Sequence, residues 1–496
     1  MPDDKRAIHG ALVLVSLSTL ILILFRKSTV ADPDLWGYMT FGHLFWNSSS
    51  FPYKDIFTYL PTYDQWIYHE WLMGVALYPI YKFMGGSALV ILRGLIALVT
   101  LCFLYLAART RGSSRASVLF WIVLVSGFLQ MGYGTVLRAQ TITYLLTALT
   151  IFLLERSRRH QKWFLLFILV PIQIIWCNMH GGFLAYFGII AMYAVGEALS
   201  GRAWWPYLLL FALSALSTLI NPYGIGYWSY LFQAVTLKRA SITEWASAFD
   251  AYRYGISPGS ILFYMLIVVL SLRILLWARL REITTIFLLS VTFLLGIKHV
   301  RHMVFFLMLI AVYLPETFGR YIEEFKTTHW ARIALRIETS VPTAFAAAKR
   351  MAAPLCVVLL VASCCILLGT SSLSLTIPSG GQGYVTYYPT GSLEYMRRNG
   401  LSGNLLTEFG WGEYLIWNLA PEMKVALDGR YETVYQDRVA NEYFDYMNGK
   451  ENDFLDAYTH DFVLLKPDSP PVASLRKNPK WTDVYEDTAS VLFAKR

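Results

Sequence analysis

Charge is what this chain has little of. Asp, Glu, Lys and Arg together make 15% of its 496 residues, where a soluble domain carries roughly a quarter. That scarcity excludes a chain that is soluble throughout. Cysteine is scarce too: Cys102, Cys177, Cys356, Cys364 and Cys365 all fall in apolar runs and read as small packing residues. Residues 371–496 contain none, so that segment folds without a disulfide even in an oxidising compartment. The usual metal-binding Cys spacings are missing, as are heptads, low-complexity tracts and any clear internal repeat. The formal charge of +9 would suggest nucleic acid in a soluble protein. Here Lys and Arg gather in short loops without interleaved aromatics, so no nucleic-acid partner is expected.

Apolar residues, by contrast, make 56% of the chain and come in runs of about 20, the length that spans a hydrocarbon core as a helix. Backbone amides in lipid must be satisfied within the segment, so these runs should be helical. Lys5-Arg6 precede an apolar run, Ile8–Phe25, which is followed by Arg26-Lys27 in place of a cleavage site; it reads as a retained first span. The next clear span is Ser87–Ala108, followed by Arg109, Arg111 and Arg115. Between them Trp71–Met84 is short and interrupted by Pro79 and Lys82. Reading it as a surface helix keeps the Arg cluster inside and makes 28–86 one large outer loop. Further spans are expected near 117–137, 139–155, 163–177, 182–199, 204–220, 258–278, 283–297, 303–318 and 353–370.

The expectation is therefore a polytopic α-helical protein of the inner (plasma) membrane. It would have about eleven spans, a cytoplasmic N-terminus and a second long outer loop at 221–257. Residues 1–370 would form the transmembrane domain. Residues 371–496 would form a soluble α/β domain on the periplasmic, extracytoplasmic side. Its short strands are expected at Leu405–Thr407, Lys424–Leu427 and Phe462–Leu465, with helices at Ser392–Arg398 and Val439–Asn448.

Function in a membrane protein tends to lie where polar groups sit despite their cost. On the outer face, Asp32-Pro33-Asp34-Leu35-Trp36 offers two carboxylates as base or cation ligand, or simply a hydrated acidic loop. His69-Glu70-Trp71 opens the surface helix, where a Glu is already stabilised by the macrodipole. Glu244-Trp245 repeats that pairing. Arg138, Lys298, His299, Arg301 and His302 are positive groups on the side that disfavours them, and ask for an anion. Lipid headgroups would satisfy them, as would the phosphate of a lipid-linked substrate. Asn178-Met179-His180-Gly181-Gly182 forms an outer turn whose His180 is either a ligand of a metal or anion or a hydrogen-bonded turn residue.

These features resemble the GT-C superfamily of membrane glycosyltransferases. Asp32-Pro33-Asp34-Leu35-Trp36-Gly37-Tyr38 is similar to the acidic-x-Asp-Pro-Trp-x-x-Tyr motif of the oligosaccharyltransferase catalytic subunit. The resemblance implies Asp34 as the catalytic aspartate and Asp32 as the acidic residue before it. Phe409-Gly410-Trp411-Gly412-Glu413-Tyr414-Leu415, followed by Asp428-Gly429-Arg430, resembles the segment with which that subunit reads its acceptor. Trp411, Glu413, Tyr414, Asp428 and Arg430 are thus acceptor-binding candidates. The whole layout also looks like a group of bacterial GT-C-like membrane proteins with Asp-x-Asp-x-Trp, Glu-Trp-Leu, His-Gly-Gly-Phe and Trp-Gly-x-Tyr-Leu motifs. In one respect the chain departs: the turn Gly132–Gln140 has no carboxylate, where oligosaccharyltransferases carry a second acidic motif that helps hold a divalent metal.

The resemblance implies transfer of a sugar from a polyprenyl phosphate or pyrophosphate at the outer face. The partners would be that lipid-linked sugar donor, membrane lipid, and a protein or glycan acceptor. Asp34 would be the base, with Asp32, Glu70 and Glu244 as its partners and His69 and His180 as further active-site candidates. Arg138, Lys298, Arg301 and His302 would bind the donor phosphate. A route without metal, with Asp34 as base and Arg301 on the leaving phosphate, fits the missing carboxylate better than one using Mg2+ or Mn2+. Two other readings stay open: a non-enzymatic scaffold of an envelope or polysaccharide assembly complex, and a lipid or glycan transporter.

Overall fold

The computed structural model describes residues 29–48, 50–131, 136–236, 242–278, 282–326, 373–380 and 386–496, with isolated positions at 358, 361–362 and 365. The expected first span and most of the expected 353–370 span lie outside the described residues.

Among the described residues three helices are long and apolar enough to cross a membrane: Trp71–Thr110, Gly181–Leu199 and Pro258–Ala278. A fourth is reached if Val300–Tyr313 and Pro315–Glu324, bent by 55° at their junction, count as one. This corrects the expectation of about eleven spans. The apolar runs at 163–177, 204–220 and 283–297 fold into Trp163–Met179, Trp205–Ser217 and Ile283–Lys298. At 1.5 Å per residue these fall short of the roughly 30 Å of a hydrocarbon core. The run at 139–155 lies in a long helix, Ala139–His160, but its last turns carry Glu155, Arg156, Arg158 and Arg159. Hydropathy runs had counted each apolar stretch as a crossing, whereas the helices that form are cut short by turns and polar ends. The expected surface segment Trp71–Met84 does form a helix. Gly85, at φ 73° and ψ −176°, separates it from the helix that continues to Thr110, and glycine adopts that backbone without steric cost.

Two buried clusters organise the molecule. One runs through the helices from Leu101 to Leu314. The other joins residues of the expected first outer loop, such as Trp36, Phe41, Trp66 and Leu77, to Leu405, Val425, Val463 and Phe493. The loop and the C-terminal region therefore share one core. That region is built on a five-stranded mixed sheet, ordered β4-β3-β5-β7-β6. Its strands are β3 (Gly403–Thr407), β4 (Met423–Val425), β5 (Phe462–Leu465), β6 (Trp481–Glu486) and β7 (Val491–Lys495). β3 is parallel to β4 and β5, while β7 is antiparallel to β5 and β6. Helices Thr390–Arg398 and Asp437–Met447 overlap the expected ones.

Backbone bonds sew the loop to this sheet. Two further short strands, β1 (Thr29–Val30) and β2 (Leu375–Thr376), pair in parallel. Val425 N–H donates to Phe57 O at 2.9 Å, and Tyr63 N–H to Val434 O at 2.9 Å. The loop's Pro33–Asn47 helix lies against Trp71–Met84, close enough that a methyl group at Gly42 would meet the Gly74 carbonyl oxygen at 2.3 Å.

A second polar cluster lies among helix ends far along the chain from these. Arg111 pairs with Glu155 at 2.9 Å and Glu282 at 2.7 Å; Arg158 pairs with Glu197 at 2.7 Å and also with Glu282. Glu155 and Glu197 are buried, yet each has its cation, as burial of charge requires.

Candidate active site

The acidic motif is first of all a helix start. Asp32 is the N-cap of Pro33–Asn47, accepting from Asp34 N–H at 3.2 Å, with Pro33 in the first turn. Asp34, also in that turn, projects into a cavity of about 270 Å³. Glu70, Arg138 and His180 reach the same cavity from three other helix starts: Trp71–Thr110, Ala139–His160 and the short 3-10 turn Gly181–Phe183. Glu244 and Arg301 enter from two more turns, docked on each other through Val300 N–H to Ala246 O at 3.1 Å. The C-terminal region closes the cavity with Phe409, Glu413, Gly429, Arg430, Tyr431 and Glu432.

Arg138 sits at the centre. Its Nε lies 2.9 Å from Asp32 Oδ1, its Nη2 2.7 Å from Asp34 Oδ2, and its Nη1 contacts Glu244 Oε1. A cation at a helix N-terminus is disfavoured by the macrodipole, and three carboxylates offset that cost. Burial pushes the Asp32 carboxyl up to about 7; Arg138 pulls it down, and the neighbouring Asp34 and Glu244 charges add to the rise. Burial acts on Glu244 in the same direction, but Arg138 and Arg301 outweigh it and hold that carboxylate below its usual range.

Glu70 occupies the other wall. Its Oε1 lies 3.6 Å from His69 Nε2 and 3.5 Å from His180 Nε2. Burial, reinforced by the Asp34 charge, pushes it up to about 8. His180 Nδ1 accepts the Gly182 N–H at 3.1 Å and lies 2.7 Å from the Thr143 hydroxyl, which itself accepts the Trp176 indole N–H at 2.9 Å. An Nδ1 that accepts carries no proton, so the neutral ring holds its proton on Nε2, facing Glu70. Burial and the nearby Arg301 keep the ring neutral by lowering its pKa. His180 is thereby a fixed donor. As a metal ligand it would have to give up that proton.

Glu413 is reached from across the chain: its Oε2 accepts Gly37 N–H at 3.0 Å. A side chain at Gly37 would meet that carboxyl at 2.6 Å, so the glycine of the first motif makes room for the second. Burial, then the Asp34 and Asp428 charges, raise Glu413 well above the usual carboxylate range. Arg301 stacks on Trp245, 4.6 Å from its ring centroid. Among the described residues no carboxylate lies within ion-pair distance of it, which leaves it a cation lining the cavity with charge to offer.

Other expected site residues lie elsewhere. Lys298 is exposed at a helix end, and His302 packs on Trp245 and Phe305; neither lines the cavity. Trp411 is buried and donates to Tyr387 O at 2.8 Å; Tyr414 packs on Trp36 and Tyr388. Asp428 is fully buried and binds Arg430 through two bonds of 2.7 Å, while Arg430 also reaches Asp55 at 2.6 Å. Asp428 and Asp55 thus clamp the loop to the sheet, and Arg430 alone of the three touches the cavity. Tyr38, Tyr68, Gln140, Thr243 and Tyr431 line the cavity without having been singled out. Tyr38 is the closing Tyr of the first motif; the others had at most nearness to a singled-out residue as signal, as with Gln140 two residues after Arg138.

The likeness to oligosaccharyltransferases implies a divalent cation, and the side chains can be tested for one. Among the described residues no group of three or more His, Cys, Asp and Glu is placed to hold a metal ion. Asp32, Asp34 and Glu244 instead converge on a guanidinium, so this donor set does not fit a divalent ion.

No protein-family model and no curated protein sequence matches this chain. Solved structures do match its fold. An oligosaccharyltransferase from Archaeoglobus fulgidus, crystallised with a tethered acceptor peptide carrying the NVT sequon, aligns over 98% of this chain and 74% of its own, with a TM-score of 0.55 at 12% identity. The arabinofuranosyltransferase AftD from mycobacteria aligns over 98% of this chain, with a TM-score of 0.50 at 13% identity. This chain spans only 40% of the latter's length. At such identities the likeness is one of fold. The chain shares the fold of these two glycosyltransferases, and among its described residues it carries helices long and apolar enough to cross a membrane.

Proposed function

We propose that the chain is a GT-C-type membrane glycosyltransferase that moves a sugar from a polyprenyl phosphate or pyrophosphate to a protein or glycan acceptor at the outer face of the membrane. The observation that carries this reading is the convergence, in one cavity, of an acidic residue at the start of the Pro33–Asn47 helix and a cation that, among the described residues, lies beyond ion-pair distance of every carboxylate. Asp34 has Arg138 on one oxygen and the open cavity beside it, the position from which a carboxylate orients and deprotonates an acceptor hydroxyl or amide. Arg301 is held by Trp245 and offers its guanidinium to the phosphate that leaves as the glycosidic bond breaks. Arg138, engaged by three carboxylates, positions Asp34, and the donor role assigned to it from sequence passes to Arg301.

Glu70 and Glu413, kept protonated by burial, are donors for sugar hydroxyls. The C-terminal residues that close the cavity make the site incomplete without residues 371–496, which we take as the extracytoplasmic domain. The test is turnover of polyprenyl-phosphate and polyprenyl-pyrophosphate sugars by purified protein, with Asp34→Asn as the control. Loss of turnover by about 100-fold or more in that variant, with unchanged folding, is expected. Full activity in Asp34→Asn removes Asp34 from the mechanism, and tight partner binding without turnover in the wild type favours the scaffold reading.

A further inference from the structure

Three carboxylates from two separate parts of the chain, at positions 32 and 34 and at position 244, meet at one point, and the side chain of residue 138 is threaded into it. The guanidinium of Arg138 faces all three: Nε and Nη2 both donate to Asp34 Oδ2, at 3.1 and 2.7 Å, Nε also lies 2.9 Å from Asp32 Oδ1, and Nη1 donates to Glu244. A planar guanidinium presents its donors in a fixed fork, so it sets the mutual orientation of its three partners much as a coordinated ion would. We propose that Arg138 is the resident cation of the site, standing where a divalent ion would otherwise bridge the carboxylates, and that sugar transfer here proceeds without a bound metal. This inference rests on the transferase reading for its activity arm only.

Charge supports the geometry. One guanidinium neutralises one of three carboxylates, and Asp32, the most buried of them at 9% exposure, is pushed up to about 7 by burial and by its acidic neighbours. The backbone holds the arrangement as well. Ala139 N–H donates to the Tyr38 hydroxyl at 3.3 Å, tying the residue after Arg138 to the helix that carries Asp34. Removing the guanidinium leaves three oxygen donors facing one another, the ligand type that hard divalent cations take.

The consequence is measurable on the full-length protein in detergent, by Mn2+ binding with isothermal titration and electron paramagnetic resonance. The wild type is expected to bind no stoichiometric Mn2+ at this site. Arg138→Ala is expected to gain about one Mn2+ per chain, lost again when Asp34→Asn and Glu244→Gln are added. Wild-type turnover should survive exhaustive dialysis against EDTA. Turnover of Arg138→Ala should fall about 100-fold and return in part with Mn2+. Arg138→Lys keeps one charge but not the three directed donors, and should also lose most turnover without gaining a metal. Stoichiometric Mn2+ in the wild type that weakens in Asp34→Asn or Glu244→Gln overturns the proposal, as does loss of wild-type turnover on chelation. If Arg138→Ala fails to fold, these wild-type arms decide alone. Absence of turnover in every protein speaks against the transferase reading, and the Mn2+ arms still decide the identity of the cation.

Discussion

Replacing Arg430 by Met tests how the cavity is held shut. The guanidinium is 2% exposed and bridges Asp428, 0% exposed, and Asp55, 1% exposed, with bonds of 2.6 to 2.7 Å. Asp55 belongs to the loop before Trp71 and Asp428 follows β4, so the pair of bridges crosses the seam between loop and sheet. Met keeps most of the volume and the apolar contact with Phe57 and Trp66, whose rings lie 5.3 and 5.0 Å from the guanidinium carbon. What it removes is the charge, leaving two buried carboxylates facing each other. Breaking a buried pair in this way costs about 3–5 kcal/mol. For a cooperative unit of the size of the loop and sheet region, each kcal/mol lowers the melting temperature by roughly 2–4 °C, so a drop of about 10 °C is expected. Tryptophan fluorescence during heating reads it, because Trp66 packs beside Arg430. The defect should shrink as pH falls, since one of the orphaned carboxylates then takes a proton. The neutral triple variant Asp55→Asn, Asp428→Asn, Arg430→Met should recover much of the loss. A single variant within about 1 kcal/mol of wild type, or a triple no better than the single, would refute the view that this cation locks the seam.

Glu70, raised from its ordinary 4.5 to about 8 by burial first and the Asp34 charge second, gives a signed pH prediction. The folded chain holds this proton where the unfolded chain has lost it. Its contribution is therefore fully present below about 4.5 and lost as pH rises through about 8. Melting temperature measured across that window should fall less in Glu70→Gln than in wild type; equal slopes would count against a protonated Glu70. Gly42→Ala puts a methyl group against the Gly74 carbonyl and the Tyr78 side chain, neither of which can retreat cheaply. A loss of about 1–3 kcal/mol is expected from denaturant titration, and none would mean that the two helices can part there. Arg301→Ala should raise the KM for a polyprenyl-phosphate sugar and lower kcat at least tenfold, while leaving the melting temperature nearly unchanged. Unchanged kinetics would take Arg301 out of the donor site.

Much of the site was legible because membrane proteins pay for polar groups on apolar chains. Asp34, Glu70, Arg138, His180, Glu244 and Arg301 stood out as charges or turns at one face, and the cavity does unite them. What no local pattern could supply was pairing. Asp55 follows Lys54 in a stretch that reads as hydrated loop, and its partner Arg430 is 375 residues away. Tyr38 and Tyr68 do not stand out in a chain with 32 tyrosines. Glu155 and Glu197 passed unremarked at the ends of apolar runs, although their ion pairs join the ends of three helices. Trp66 is 2% exposed and donates to Thr433, because the loop that carries it shares a core with the sheet. The span count failed for a related reason. Apolar composition measures burial against lipid and burial against protein alike, and several of these short helices are buried in part against each other. The strand Trp481–Glu486 escaped notice because Asp483 interrupts its pattern, and Val491–Lys495 because its apolar run is only four residues long.

The most direct test of the central claim is a cryo-EM map of the protein with a bound polyprenyl phosphate. The account predicts density for the phosphate inside the cavity between Asp34 and Arg301, within hydrogen-bond reach of the Arg301 guanidinium, with Arg138 still held by its three carboxylates. Phosphate density outside this cavity, or density there that contacts neither Arg301 nor the Asp34 wall, would contradict it.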